Sequence, residues 1–380
     1  MEQSSYKPLR RAVLLIFLVC GLGLSSWAPM VPFTKDRLGL NEAGLGVLLL
    51  SLGAGAIVMM PVTGILIQRY GSRRVMILGG VSLSLILPLL LLLVNPIAMA
   101  AALFLFGAAI GAIDVAMNEQ AIRVQKLYGR HIMSSFHGFF SVGGLMGALG
   151  LGALIKTGLS PLAAAISISC LLLIIIISLY KYLLPFQPRE VKEQHRRFSW
   201  PNSPVIYLGL MCFIVFLAEG AMLDWSAVFL QFNRNFDIAW SGMGYAVFSV
   251  AMALMRLTGD RLMGKFSPHQ MVIYGSIVAA VGLFIAVGTP WQSTALLGFL
   301  LVGLGCANIV PVFFSAAGNM PHTPVHVALP AITTIGYAGQ LAGPALLGFI
   351  AHGFSLPFAL AFVGGLLLLV AISYRFYRLS

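Results

Sequence analysis

The chain has 380 residues, of which 59% are hydrophobic and 9% charged, with a mean hydropathy of +0.95 and a formal charge of +12. Soluble globular proteins average about 45–50% apolar and about 25% charged residues, so this composition excludes the ordinary soluble class and reads as an all-α polytopic membrane protein. Nucleic acid does not account for the basic excess, because no basic stretch carries the interleaved aromatics that stack bases.

A membrane span needs roughly 20 predominantly apolar residues. Twelve such runs follow one another at about 10–33, 42–67, 74–94, 97–122, 132–156, 160–184, 204–231, 238–259, 270–289, 292–317, 325–351 and 355–376. The first is long enough to stay as a span, and no small-residue cleavage site follows it. The separators are short and carry turn residues, as at Asn95-Pro96, Thr289-Pro290 and Ser355 to Pro357. The longest polar stretch, PFQPREVKEQHRRFSWPNS at 185–203, divides the chain into 1–184 and 204–380. The four cysteines lie in apolar runs without metal-ligand spacing. No metal, cofactor or enzymatic chemistry is therefore expected: there is no nucleophile–base pair and no phosphate-binding loop with a lysine.

Polar residues inside the apolar runs are the informative ones. The fourth run holds GAIDVAMNEQ (111–120). Asp114 and Asn118 are four apart and share a helix face. Gly107 and Gly111 extend that face, allowing either close helix approach or room for a ligand. A carboxylate near a span centre costs about 2.5–3.5 kcal/mol on insertion scales, so it is expected to face a cavity or a partner. Glu119 pairs with Arg123 near the end of the run. In the seventh run Glu219 has no base within a helical turn, and Asp224 and Trp225 follow near its end. Asp224 reads as either a helix-end cap or an outer-gate residue. Arg256 and Asp260, four apart at the end of the eighth run, read as an inner-gate ion pair. His137 begins the fifth run, either as a coupling group or in a structural or interfacial role. Pro311 in the tenth run, and Pro330 and Pro344 in the eleventh, mark expected kinks.

Charge fixes the expected orientation. With the N-terminus inside, 19 of the 23 basic residues fall on the inner side, and Lys35, Arg37, Lys156 and Arg234 alone fall outside. The positive-inside rule places both termini and the central loop in the cytoplasm.

The chain also repeats itself. FGAAIGAIDVAMN (106–118) aligns with VGLGCANIVPVFF (302–314), and SVGGLMGALG (141–150) with YAGQLAGPAL (337–346), both 196 residues apart. Gly107 falls opposite Gly303, and Gly143 opposite Gly339. Trp27 and Trp225, each closing the first span of its half, lie 198 apart. Two parallel six-span halves joined by a polar linker follow.

These features resemble the major facilitator superfamily. GILIQRYGSRR (64–74) is similar to that superfamily's loop motif, with Gly64, Arg69, Gly71, Arg73 and Arg74 matching and Gln68 standing where an acid is usual, and the resemblance implies an inner-gate loop at these residues without the usual charge pairing at Gln68. RLTGDRLMGKFSP (256–268) is a looser second copy. AEGAMLDW (218–225), DVAMN (114–118) and HGFFSVGGLMGA (137–148) resemble the MosC-like bacterial branch. The resemblance implies the twelve-helix major facilitator fold, with a central cavity lined by the first, fourth, seventh and tenth spans. It thereby puts Trp27, Asp114, Asn118, Glu219, Trp225 and Asn308 around one aqueous pocket, which His137, Tyr337 and Gln340 reach from the sides. The tryptophans equally suit an outer aromatic belt.

The expected function is secondary transport of a small polar solute, sugar or sugar-like, by alternating access. Protons are the expected coupling ion, on Asp114, Glu219 or His137, although Asp114 and Asn118 also offer oxygens to Na+. Other readings are a proton-driven exporter of lipophilic compounds and, from another class, a non-transporting receptor or scaffold. The expected partners are the solute, the coupling ion and the lipid bilayer, with no nucleic acid, around a monomer in a bacterial cytoplasmic membrane.

Overall fold

Apolar runs bounded by capping residues become helices here. In the computed structural model, which describes residues 6–27, 30–40, 42–186, 202–236, 243–320 and 323–377, no strand occurs among the described residues. The helices are α1 (Lys7–Ser25), α2 (Val31–Leu38), α3 (Glu42–Tyr70), α4 (Ser72–Leu89), α5 (Pro96–Tyr128), α6 (Met133–Lys156), α7 (Pro161–Leu179), α8 (Ser203–Arg234), α9 (Met243–Leu262), α10 (Pro268–Gly288), α11 (Gln292–Cys306), α12 (Ile309–Ala317), α13 (Val325–Gly353) and α14 (Leu356–Phe376). With α11 and α12 as one interrupted rod and α2 as a short connector, they form twelve rods. Eleven are long and apolar enough to cross a membrane among the described residues. The twelfth, α9, carries Arg256, Asp260 and Arg261. Most of the expected linker, 187–201, lies outside the described residues.

Of the separators read from the sequence, Asn95 and Ser355 cap helices, whereas α11 follows Thr289-Pro290 with Trp291 at its N-cap and no side-chain bond. Asn95 Oδ1 accepts from the N–H groups of Ile97 at 2.8 Å and Ala98 at 3.2 Å, and Pro96 takes the first helical position. Such a side chain satisfies orphan donors, and proline there forfeits no bond. Ser160 with Pro161 and Ser267 with Pro268 do the same, the latter completed by Gln270 as a capping box. The first span is shorter than the sequence implies: α1 ends at Ser25, and α2 follows as a separate short helix.

Packing gathers the chain into two units. One comprises Met1–Arg130, Phe139–Asn202 and His322–Ala331; the other comprises His131–Gly138, Ser203–Pro321 and Ile332–Ser380. Their internal packing repeats. In the first unit a Cβ on Gly107 of α5 would lie 1.8 Å from the Leu52 carbonyl oxygen of α3; in the second, one on Gly303 of α11 would lie 2.4 Å from the Phe248 oxygen of α9. A Cβ on Gly143 of α6 would lie 2.0 Å from the Leu18 oxygen of α1, as one on Gly339 of α13 would lie 2.2 Å from the Phe213 oxygen of α8. The glycines shared by the two sequence repeats are thus helix-crossing points where backbones touch.

Two of the four bases expected outside also have a structural reason. Arg37, in α2, donates to the carbonyl oxygens of Leu91 at 2.6 Å, Leu90 at 2.7 Å and Leu93 at 3.0 Å, just past the end of α4. Arg234, 197 residues later at the end of α8, donates to Ala286 at 2.6 Å and Val287 at 3.1 Å, near the end of α10. A guanidinium matches the unpaired carbonyls and negative dipole of a helix C-terminus.

Large apolar side chains remain exposed on the outer faces, among them Leu78, Ile97, Ile174 and Phe349. A soluble protein rarely leaves such a surface bare, whereas the hydrocarbon of a bilayer accepts it.

Candidate functional site

In the first unit the polar centre is on α5. Asp114 lies 18 steps from Pro96, about 27 Å along a rod of about 50 Å at 1.5 Å per residue, so it sits near mid-helix. Asp114 and Asn118 are both buried. Asn118 Nδ2 donates to the Asp114 carbonyl oxygen at 2.9 Å and to Oδ1 at 3.4 Å. Asp114 Oδ2 and Asn118 Oδ1 are buried with no hydrogen-bond partner. Two acceptors side by side in an apolar surrounding call for a donor: a proton on the carboxyl, a cation or a solute hydroxyl. Gly107 and Gly111, which the sequence left open between ligand space and helix approach, serve the latter against Leu52 and Ala56 of α3. Glu119 faces Arg123 at 3.9 Å, as its spacing implies.

The loop motif belongs to the same unit. Gln68, Arg69 and Arg74 are exposed, and Arg73 stacks over the Tyr180 ring at 3.6 Å. Gly64 fits against the first turn of α13, where a Cβ would lie 2.5 Å from the His326 oxygen. Gly71 adopts φ 82° as it turns the chain from α3 into α4, a conformation other residues rarely tolerate. Trp27 is buried, which does not fit a lipid-facing belt.

In the second unit the centre is an ion pair that spacing does not reveal. Arg256 Nη2 of α9 donates to Glu219 Oε1 of α8 at 3.1 Å, with side chains 9% and 17% exposed, so both charges are largely removed from water. Arg256 Nε donates to the Ala307 carbonyl oxygen at 3.1 Å. That carbonyl is available because Pro311, four residues on, has no N–H to offer it. The rod breaks there, between α11 and α12, as the expected kink requires. By contrast α13 runs unbroken through Pro330 and Pro344. Asn308 sits in the break, buried, its Nδ2 donating to the Met255 carbonyl oxygen at 3.3 Å and its Oδ1 without a partner.

Asp260, read from the sequence as the partner of Arg256, accepts the Ser135 N–H at 3.1 Å and the Ser135 hydroxyl as well. Ser135 is in the first turn of α6, so the carboxylate caps that helix at the positive end of its dipole. His137, two residues on, is buried with its ring 5.6 Å from Phe314 of α12. On α13, Tyr337 packs its ring 5.0 Å from Phe216, and Gln340 lies against Gly220, next to Glu219. Asp224 is exposed and Trp225 half-buried, with its Nε1 lacking a partner. The second unit therefore brings Glu219, Arg256, Asn308, Tyr337 and Gln340 onto neighbouring elements. The first contributes Asp114 and Asn118.

Twelve rods in two repeated sets, each with a carboxylate largely removed from water within a long apolar helix, suit a membrane-transport fold, and the family model agrees: residues 13–328 match the Major Facilitator Superfamily, to which this chain belongs. The chain is 49% identical over 363 residues to an uncharacterized MFS-type transporter of Yersinia pestis, covering 95% of this chain and 94% of that one. It is 31% identical over 369 residues to the membrane protein MosC of Rhizobium meliloti, covering 96% and 89%, which supports the MosC-like branch. Among solved structures it shares its fold with the E. coli fucose:proton symporter, at TM-score 0.78 and 14% identity over 97% of this chain and 98% of that one. The proton:xylose symporter XylE gives TM-score 0.73 and 12% identity over 100% and 97%.

Proposed function

We propose that this major facilitator transporter moves a small polar solute, sugar or sugar-like, by alternating access coupled to protons. The observation that carries this reading is the pair of carboxylates within apolar helices, Asp114 buried in one unit with an oxygen lacking a donor, and Glu219 in the other, largely removed from water and held by Arg256. A carboxylate so removed from water gains or loses a proton when its surroundings change, and alternating access changes them. In this scheme protonation of Glu219 weakens its hold on Arg256, while a proton on Asp114 supplies the donor its oxygen lacks. The unfilled acceptors of Asn118 and Asn308 and the unfilled donor of Trp225 suit a solute that both gives and takes hydrogen bonds, as hydroxyls do. Two solved relatives by fold carry fucose and xylose with protons, so such cargo is within the reach of the architecture. The protein resides in the cytoplasmic membrane as a monomer, with both termini on the basic, cytoplasmic side.

The test is proton uptake or release by purified protein on adding a panel of sugars, cyclitols and small polar metabolites. A ligand-dependent proton signal, lost in Asp114→Asn or Glu219→Gln, is the expected result. A signal unchanged in both variants removes those carboxylates from the coupling role. No signal across the panel, in folded protein, turns the reading to an exporter of lipophilic compounds or an uncoupled carrier.

A further inference from the structure

The residues of the first unit that the transport reading leaves unused gather where α4 begins and α7 ends. We propose that this end of the unit is a binding site for the headgroup of an anionic phospholipid. Beyond Leu179 the chain makes a 3-10 turn, Tyr180–Tyr182, and Ile177, Ser178, Tyr180, Lys181 and Tyr182 line an open niche of about 410 Å³. The niche is built, not a chance surface. Gln120 of α5 donates from Nε2 to Ser72 Oγ and to the Leu184 carbonyl oxygen, both at 3.1 Å, and its Oε1 accepts the Leu184 N–H at 3.2 Å. Phe186 then packs on Gly71, where a Cβ would lie 2.7 Å from its ring. The turn is thus pinned across the N-terminus of α4.

Two cations bear on it. Arg73 lies over the Tyr180 ring at 3.6 Å, with its Nε buried and lacking a partner, and Lys181 Nζ sits 5.0 Å from the Tyr182 ring centroid. Arg74 is exposed one residue further on, and no acidic residue occurs in α4 or in the turn. The acid closest to Gln120 in sequence, Glu119, is matched by Arg123. The shape of the charge distribution separates a lipid from a free anion. Leu171, Ile174 and Ile177 form an exposed stripe down α7, at 45%, 67% and 61%, and the stripe runs into Ser178 and Lys181. Apolar surface ending at a cation and tyrosine hydroxyls matches an acyl chain ending at a phosphate. Basic pockets between spans at the cytoplasmic headgroup level bind such lipids, and tyrosines favour the same depth.

Purified protein in neutral detergent, given dioleoylphosphatidylglycerol or dioleoylphosphatidylcholine, tests this by native mass spectrometry of the lipid retained. The glycerol lipid should be retained in preference. Lys181→Gln should lower its retention about fivefold, the worth of one basic residue at an anionic surface, and Lys181→Glu should lower it to the level of the choline lipid. Lys265→Glu, an exposed charge of the second unit, should leave it unchanged. Equal retention of the two lipids overturns the proposal, as does an equal loss with Lys265→Glu. Release of the glycerol lipid by millimolar inorganic phosphate at constant ionic strength would make the niche a small-anion site instead. Lys181 is exposed, and a thermal melt of each variant confirms that folding is intact.

Discussion

The ion pair of Glu219 and Arg256 rests on a balance between desolvation and attraction. Taking either charge out of water costs several kcal/mol, and removing one partner leaves that cost uncompensated. Glu219→Leu should therefore destabilise the protein by on the order of 3 kcal/mol, at the lower end because the carboxylate keeps some exposure. Glu219→Leu with Arg256→Met should recover most of the loss, since an apolar pair of similar volume needs no counter-charge. Thermal unfolding in detergent reads both, and a double variant as unstable as the single one would show that the pair is not the source. The sequence made Asp114, Asn118, Glu219 and Asn308 legible, because any polar residue within an apolar run stands out. It hid the partner of Glu219, which lies 37 residues away on another helix and depends on how two helices are rotated and crossed. It hid the bond from Asp260 to Ser135 for the same reason, across 125 residues. Spacing of four makes Arg256 and Asp260 neighbours on one helix face, but their closest cross-helix contacts are set by the fold.

At the scale of elements, the repeat in sequence becomes a repeat in contacts. Arg37, in the short helix after the first span, and Arg234, at the end of the first span of the second half, each donate to carbonyls at the C-terminal end of a third, one in each unit. Neither was distinguishable from an ordinary loop base, since the carbonyls they satisfy belong to helix ends more than fifty residues away. Charge-assisted hydrogen bonds contribute about 1.5–3 kcal/mol, and each guanidinium also meets a helix dipole. Arg37→Ala and Arg234→Ala should each cost about 2 kcal/mol. Because each acts within its own unit and shares no hydrogen-bond partner with the other, the double variant should cost the sum to within about 0.5 kcal/mol. Chemical unfolding of the two single variants and the double one decides this. A cost near zero for either would mean that its carbonyls are served as well by water. The glycine crossings were half legible: the register of Gly107 with Gly303 was visible, but their service to α3 and α9 follows from backbone distances alone.

For the whole molecule, the quantity most readable in the sequence was the distribution of charge between loops. Nineteen bases against four is an asymmetry that a wrong count of spans would scatter. Two of the four exceptions, Arg37 and Arg234, are engaged by helix carbonyls. Orientation is set by lysine and arginine in short loops near span ends, so the bias should be strong enough to withstand single changes. A fluorescent protein fused after Phe376 should fold and fluoresce, which requires the cytoplasm, whereas alkaline phosphatase at the same point should be inactive. Phosphatase inserted at Asn95 or at Thr289, between spans on the sparsely charged side, should be active. Removing Arg37 and Arg234 together should leave this pattern unchanged even as it lowers stability, because it takes bases from the sparsely charged side only and so sharpens the asymmetry. Phosphatase activity at the C-terminal fusion would reverse the assignment of sides and place the basic niche at the end of α7 away from the cytoplasmic leaflet.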